Sequence, residues 1–310
     1  MERDEEMRQK RKGNLILLLT AMVWGLGFVA QKAGAELQPF TYNGIRMLLG
    51  GVALLPVVFL FMKNKGEKRV ENKDKQYNVV KSSILGGIIC GVVLCIASNL
   101  QQFGIYFQTD ASKAGFITSL YILFVPILSV FFGKKVRPLI WGCVFLGGLG
   151  FYLLTMAGKS NGFVLEKGDL FVLICAFVFA WHIIVVDFFA PKANGLLLSS
   201  VQFITAGILS LILMGIFEQP DIDKILSLWQ PILYSGLVST GIGYTLQVVG
   251  QKDAEPTTAT LIMSLESVFA VIFGVLLMHE RITLIEGIGC LVIFIAVVIP
   301  QLPQKAGDSK

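Results

Sequence analysis

The stretch LIMSLESVFAVIFGVLLMHER, Leu261–Arg281, decides the fold. From Leu261 to Met278 it is apolar except for small Ser and Gly residues and one carboxylate, Glu266. As a helix the run rises about 27 Å, close to the ~30 Å hydrocarbon core of a bilayer. It is too long for a strand and lacks the polar–apolar alternation of one. An ionisable group at the centre of such a helix costs about 2.5–3.5 kcal/mol on insertion scales, so it is kept only where it faces a bundle interior or a wet cavity.

Runs of the same kind recur outward from this one. Ten spans are predicted, at 14–33, 41–62, 83–107, 113–132, 138–157, 169–189, 196–217, 231–250, 257–278 and 282–301. The chain of 310 residues is 55% hydrophobic and 15% charged, against about 25% charged in soluble domains. An all-α integral membrane protein follows. Pro138, Pro231 and Pro256 stand at or just before helix starts, where a missing N–H costs nothing. Pro126 falls inside the fourth span and predicts a kink there. The five cysteines all lie in apolar runs without a CxxC pair, as small core residues do. The first run, preceded by MERDEEMRQKRKG, reads as a retained helix and not a cleaved signal.

Lys and Arg set the orientation. With the N-terminus in the cytoplasm, 19 of the 26 cations fall on the inside, six outside, and Arg46 within a span. The net charge of +5 is thereby explained without nucleic acid. Both termini are predicted to be cytoplasmic in a cell (plasma or inner) membrane, with tails at 1–13 and 302–310. The chain also repeats itself. GNLILLLTAMVW (13–24) aligns with GDLFVLICAFVF (168–179), LQQFG (100–104) with LQVVG (246–250), and SLYILF (119–124) with SLESVF (264–269). The predicted units are 14–157 and 169–301, joined by a linker at 158–168. Five spans is an odd number, so the second unit is inverted. Inverted repeats are a recurrent plan of secondary transporters, with a site near the midplane between the halves.

AMVWGLGFV (21–29), LQQFGIYFQTDASKAGFITSLYILFVP (100–126), AWHIIVVDFFA (180–190), LQVVGQKDAEPTTATLIMSLESVFAVIFGVLLMHERIT (246–283) and GIGCLVIFIAVVI (287–299) resemble the EamA-type permeases of the drug/metabolite transporter superfamily over nearly the whole chain. The resemblance implies ten helices in two inverted five-helix repeats and movement, often outward in the family, of amino acids, other small metabolites or toxic compounds. Two features depart from it. Ser267 stands where a Pro often follows the Glu, and Gly133, Lys134 and Lys135 end the fourth span where a Glu–Arg pair like Glu280–Arg281 is common.

The candidate site residues are the polar groups inside spans. Glu266 lies about 13 Å from the cytoplasmic end of its helix by helical rise and is the leading protonatable group. Arg46 attracts an anionic group, pairs with Glu266 through water, or snorkels to the interface. His182 is a gating candidate or a packing residue, and Asp187 reads as solvated. Asn99, Gln101 and Gln102 in the third span and Tyr244 and Gln247 in the eighth fall in matching places of the two halves. They are interhelical glue or the lining of a pocket for a zwitterionic metabolite. Tyr121 is the repeat mate of Glu266, and Trp24 lies within a span and not at an aromatic belt. Gly87-x-x-x-Gly91 is a small-xxx-small match. The GLGFVA fit (25–30) to a dinucleotide fingerprint follows no strand and is rejected.

No Walker A, HExxH or GxSxG sequence is present, so neither an ATP-driven pump nor a membrane hydrolase is expected, and no enzyme, cofactor or metal. The expectation is a secondary transporter working by alternating access. Its partners are a small-molecule substrate and the bilayer; a coupled proton or other ion and a homodimer are left open. Two alternatives stand beside it. One is an exchanger of phosphorylated sugars or nucleotide sugars, which would want several cavity cations. The other is a non-transporting sensor or scaffold, which would want a soluble domain.

Overall fold

In hydrocarbon every backbone N–H and C=O must be paired within its own segment, so the apolar runs can only be helices. The computed structural model describes residues 2–66, 73–156, 166–279 and 283–299, with no strand among them. The first half contains α1 (Glu2–Ala33), α2 (Pro39–Gly66), α3 (Lys73–Tyr106), the pair α4 (Ala111–Thr118) and α5 (Tyr121–Phe131), and α6 (Pro138–Met156). The second half contains α7 (Lys167–Phe189), α8 (Gly195–Phe217), short α9 (Ile222–Ser227) and α10 (Trp229–Leu233), and a π-helical segment (Tyr234–Tyr244). It continues through α11 (Thr245–Gln251), the pair α12 (Pro256–Met263) and α13 (Leu265–Met278), and α14 (Leu284–Val298).

Eight of the predicted spans are helical segments long and apolar enough to cross a membrane. The fifth and tenth are shorter apolar helices within the described residues, at Pro138–Gly150 and Gly287–Ala296, so the count of ten is not reached on length alone. The charged leader is helical too and continues into α1 without a break. Large apolar side chains such as Phe59, Phe145, Ile216 and Leu284 are exposed around the bundle, as lipid-facing residues are.

The packing is two-fold. Call the end of the bundle where α1 begins the leader end, and the opposite end the far end. α2 packs on its repeat mate α8, and α6 on its mate α14. The α3–α7 contact is matched by α11–α1, α3–α8 by the π segment on α2, and α1–α13 by α7–α5. Likewise α4 meets α13 and α12 meets α5. This is the inverted repeat expressed as contacts. Gly87 and Gly91 allow the close approach of α3 to α8. A Cβ at Gly87 would stand 3.0 Å from the Leu198 carbonyl oxygen, and one at Gly91 2.7 Å from that of Gln202, the use that small-xxx-small spacing has in membranes.

Ionic ties close both ends. At the far end Asp169, buried at the start of α7, accepts from Thr109 Oγ1 (3.2 Å) and from Lys113 Nζ (2.5 Å) at the start of α4. Lys32 of α1 lies 3.9 Å from Asp110. At the leader end Asp187 is not simply solvated: Lys134 of the α5–α6 loop pairs with it. Glu218, just past α8, accepts from the N–H groups of Phe40 (2.8 Å) and Thr41 (2.7 Å), capping α2 from the other half. Replacing Lys113 with Met would leave the Asp169 carboxylate buried without its cation. The expected cost is about 3 kcal/mol, measured as a lower thermal unfolding midpoint in detergent, and the double variant Lys113→Met/Asp169→Asn should recover most of it.

Candidate functional site

The fourth and ninth spans are both interrupted at the same Ser-Leu pair of the repeat. α4 ends at Thr118 and α5 begins at Tyr121; α12 ends at Met263 and α13 begins at Leu265. Pro126 lies inside α5, and the interruption comes before it at Ser119–Leu120. Serine back-bonding is the shared local cause: Ser119 Oγ donates to the Gly115 carbonyl (2.9 Å) and Ser264 Oγ to that of Leu261 (2.7 Å), which loosens the helical ladder. The chain re-enters each helix in tight turns, with Ile122 N bonded to Ser119 O and Ser267 N to Ser264 O. Tyr121 and Glu266 thus sit in the first turn after the two breaks.

The eighth span also departs from the α-helix expected over 231–250. Its middle is π-helical, a geometry that recurs at functional sites. The wider coil carries the Ser239 carbonyl to Trp24 Nε1, which donates to it at 3.2 Å. Trp24 in turn packs on Tyr244, ring centroids 4.7 Å apart.

A narrow central cavity is lined by residues of both halves. Lining side chains must part to take a metabolite. Four repeat pairs face it: Trp24 with Phe179, Phe28 with Ile183, Gln101 with Gln247, and Tyr121 with Glu266. The cavity therefore sits on the pseudo-two-fold axis.

Arg46 lines it as well and is fully buried, so it does not snorkel. Its Nε donates to Asn43 Oδ1 (2.5 Å), its Nη1 stands 3.5 Å from Thr240 Oγ1, and its Nη2 has no protein partner. No carboxylate is within ion-pair distance of it among the described residues. Asn43 is itself fixed, because its Nδ2 donates to Ser98 O (2.9 Å) and Asn99 Oδ1 (3.1 Å). Asn99 Nδ2 donates to Cys95 O and Ser210 Oγ. Two amides, each with its oxygen and nitrogen assigned by partners, hold the guanidinium from behind. Across the cavity Glu266 is 3% exposed, and its Oε1 and the Tyr121 hydroxyl have no hydrogen-bond partner in the protein. Gln101 Nε2 donates to Thr118 Oγ1 (3.1 Å), while Gln247 Oε1 is unpartnered.

The chain as a whole is similar to known proteins. The sequence matches the EamA-like transporter family twice, over residues 11–156 and again over 166–300. The chain belongs to that family.

An uncharacterized transporter of Archaeoglobus fulgidus is 28% identical to this EamA protein over 292 residues, 93% of this chain and 85% of its own length. The uncharacterized transporter YoaV of Bacillus subtilis is 22% identical over 89% of this chain and 92% of its own. The uncharacterized inner membrane transporter YedA of Escherichia coli K12 is 21% identical over 93% and 90%. A crystal structure of a protein 17% identical to this chain shares the fold, with a TM-score of 0.72 over 94% of this chain and 96% of its own. The EamA protein is a multi-pass membrane transporter, and its partners include the bilayer and a small-molecule substrate.

Of the polar candidates named from the sequence of this EamA protein, Trp24, Arg46, Gln101, Tyr121, Tyr244, Gln247 and Glu266 line the cavity. Asn99, Gln102 and His182 are placed elsewhere. Asn99 stands behind Arg46, Gln102 Nε2 reaches the Gln31 carbonyl at 3.5 Å, and His182 Nε2 bonds Gln202 Oε1 at 3.2 Å. Glu280 and Arg281 lie outside the described residues. The sequence reading missed Gln31, Thr118 and Ser239 in the lining and Asn43 behind it. Asn43 had a signal: it precedes Arg46 by three residues, the spacing of facing neighbours on one helix.

Proposed function

We propose that this EamA protein moves a small zwitterionic, amino-acid-like metabolite across the cell membrane by alternating access. One observation carries this reading. Two ionisable side chains of opposite type, Arg46 and Glu266, line one buried cavity without pairing with each other. Arg46 Nη2 serves the carboxylate of the cargo, Glu266 its ammonium, and Gln101 and Gln247 the polar groups between. Trp24, Phe28 and Phe179 take the apolar portion. An exchanger of sugar phosphates is disfavoured, because a single cation lines the cavity and a carboxyl group lies there with it.

The moving bodies are the two inverted units, 14–157 and 169–301, with both termini in the cytoplasm. The site residues are those cavity-lining groups, supported from behind by Asn43 and Asn99. The drive is the gradient of the cargo or of an ion coupled to it, and Glu266 is the group able to take up a proton. Counterflow in proteoliposomes tests the cargo class. Labelled zwitterion should exchange against unlabelled zwitterion, and analogues lacking either the carboxylate or the amine should exchange at least about tenfold more slowly, the cost of one charged hydrogen bond. Exchange of sugar phosphates with no exchange of zwitterions would sink the reading.

A further inference from the structure

Five lining residues have no lining repeat mate: Gln31, Arg46, Thr118, Ser239 and Tyr244. Of these, Gln31 near the end of α1 and Arg46 early in α2 lie in the far half. In an inverted repeat the halves exchange roles when the cavity opens the other way. The mates of the far-half residues then enter the lining. The mate of Arg46 is Gln202 of α8, fully buried and bonded to His182.

The surroundings of Gln202 carry an unusual set of unmet hydrogen bonds. Gln202 Nε2, His182 Nδ1, Ser199 Oγ and Gln251 Oε1 are all buried without a partner, in residues no more than 1% exposed. Buried polar atoms are nearly always paired, so four together are an arrangement to be explained. Three of them belong to residues tied together between α7, α8 and α11: His182 bonds Gln202, and Gln251 Nε2 donates to the carbonyl of Ile183, the next residue after His182. Ser199 precedes Gln202 by three residues on α8, the spacing of neighbours on one helix face. Tyr244 and Phe179 divide this cluster from the cavity. Both line the cavity, and both pack edge-on against the His182 ring, at 6.0 and 6.4 Å between centroids.

We propose that Gln202, His182, Ser199 and Gln251 form a second substrate station, occupied when the transporter opens toward the leader end. The proposal rests on the alternating-access reading above. With Gln202 Oε1 accepting from His182 Nε2, the free Gln202 Nε2 is a donor for the cargo carboxylate. His182 Nδ1 and Gln251 Oε1 are acceptors for its ammonium, and the Ser199 hydroxyl serves either. The station has no guanidinium, so it holds the same cargo more weakly than Arg46 does. Passage from one station to the other requires Tyr244 and Phe179 to swing aside.

Single cysteines report the station independently of the cargo. With Cys290 replaced by Ala in every protein used, a membrane-impermeant maleimide applied to the leader face of oriented proteoliposomes should label Gln202→Cys and Ser199→Cys above the Cys290→Ala blank, whose remaining Cys90, Cys95, Cys143 and Cys175 are buried. Reagent at the far face should not. Ser199→Cys is nearly isosteric and keeps the test valid if Gln202→Cys fails to fold. No labelling above the blank from the leader face, or equal labelling from both faces, would overturn the proposal.

Kinetics give a second arm. Gln202→Leu should raise half-saturation for cargo supplied from the leader end about fivefold, the loss of a neutral hydrogen bond, with the far-end value unchanged. An equal rise from both ends would also overturn it. Failure of the wild-type protein to carry any zwitterion would instead count against the cargo class, and labelling would still decide the station.

Discussion

Glu266→Gln is expected to lower zwitterion transport about thirtyfold or more. A charge-assisted hydrogen bond to a cargo ammonium is worth about 1.5–3 kcal/mol, and the amide keeps the shape of the side chain while losing its charge. Helix α13 should tolerate the change, since the amide is nearly isosteric with the carboxylate. Glu266→Asp, which retains the carboxylate on a shorter arm, should recover part of the rate. Initial uptake rates in proteoliposomes, normalised to folded protein by size-exclusion chromatography, provide the measurement. A Gln variant with unchanged rate and affinity would remove Glu266 from the site.

Asn43→Asp should change what the cavity prefers. Asn43 Oδ1 already lies 2.5 Å from Arg46 Nε, so a carboxylate at this place would pair with the guanidinium inside the protein. The cargo carboxylate would then meet a neutralised site. Affinity for the zwitterion should fall about tenfold to a hundredfold, the range of one charge-assisted bond. The decarboxylated amine should bind as well as before or better. A substitution that merely loosened the bundle would weaken both ligands alike, which makes the ratio of the two affinities the deciding readout. Arg46→Lys supplies the complementary case. It keeps the charge but loses the planar fork that Asn43 and the cargo share, so it should lose affinity for the zwitterion without gaining preference for the amine.

Much of this was legible in the chain, for a physical reason. Apolar runs of membrane length leave helix as the only way to pair the backbone, so the order of spans is readable directly. The overlay of SLYILF on SLESVF pairs Tyr121 with Glu266, and both residues face one cavity. The position of the interruptions was not legible. Pro126 is the evident breaker, yet the helix breaks at Ser119–Leu120, and the ninth span breaks at Ser264 with no proline in its interior.

The π-helical coil at Tyr234–Tyr244 was also hidden, since its choice over an α-helix is tied to packing on α1 and α2. Phe28 and Phe179 carry no chemistry to set them apart from core aromatics. Asp187 reads as solvated until its loop partner Lys134 is placed beside it. In each of these cases the deciding contact comes from a residue distant in sequence.

The cap supplied by Glu218 has a consequence for the order in which the protein is made. The first turn of α2 exposes the N–H groups of Phe40 and Thr41, which no residue of α2 itself can satisfy. Their acceptor is a carboxylate made nearly two hundred residues later. While the ribosome is still translating the second half, that turn must remain at the aqueous surface with water on its donors. It becomes a finished part of the membrane structure only when α8 has crossed and delivered Glu218. The helices made first are thus a provisional unit, and arrival of α8 with Glu218 seals the entrance of α2.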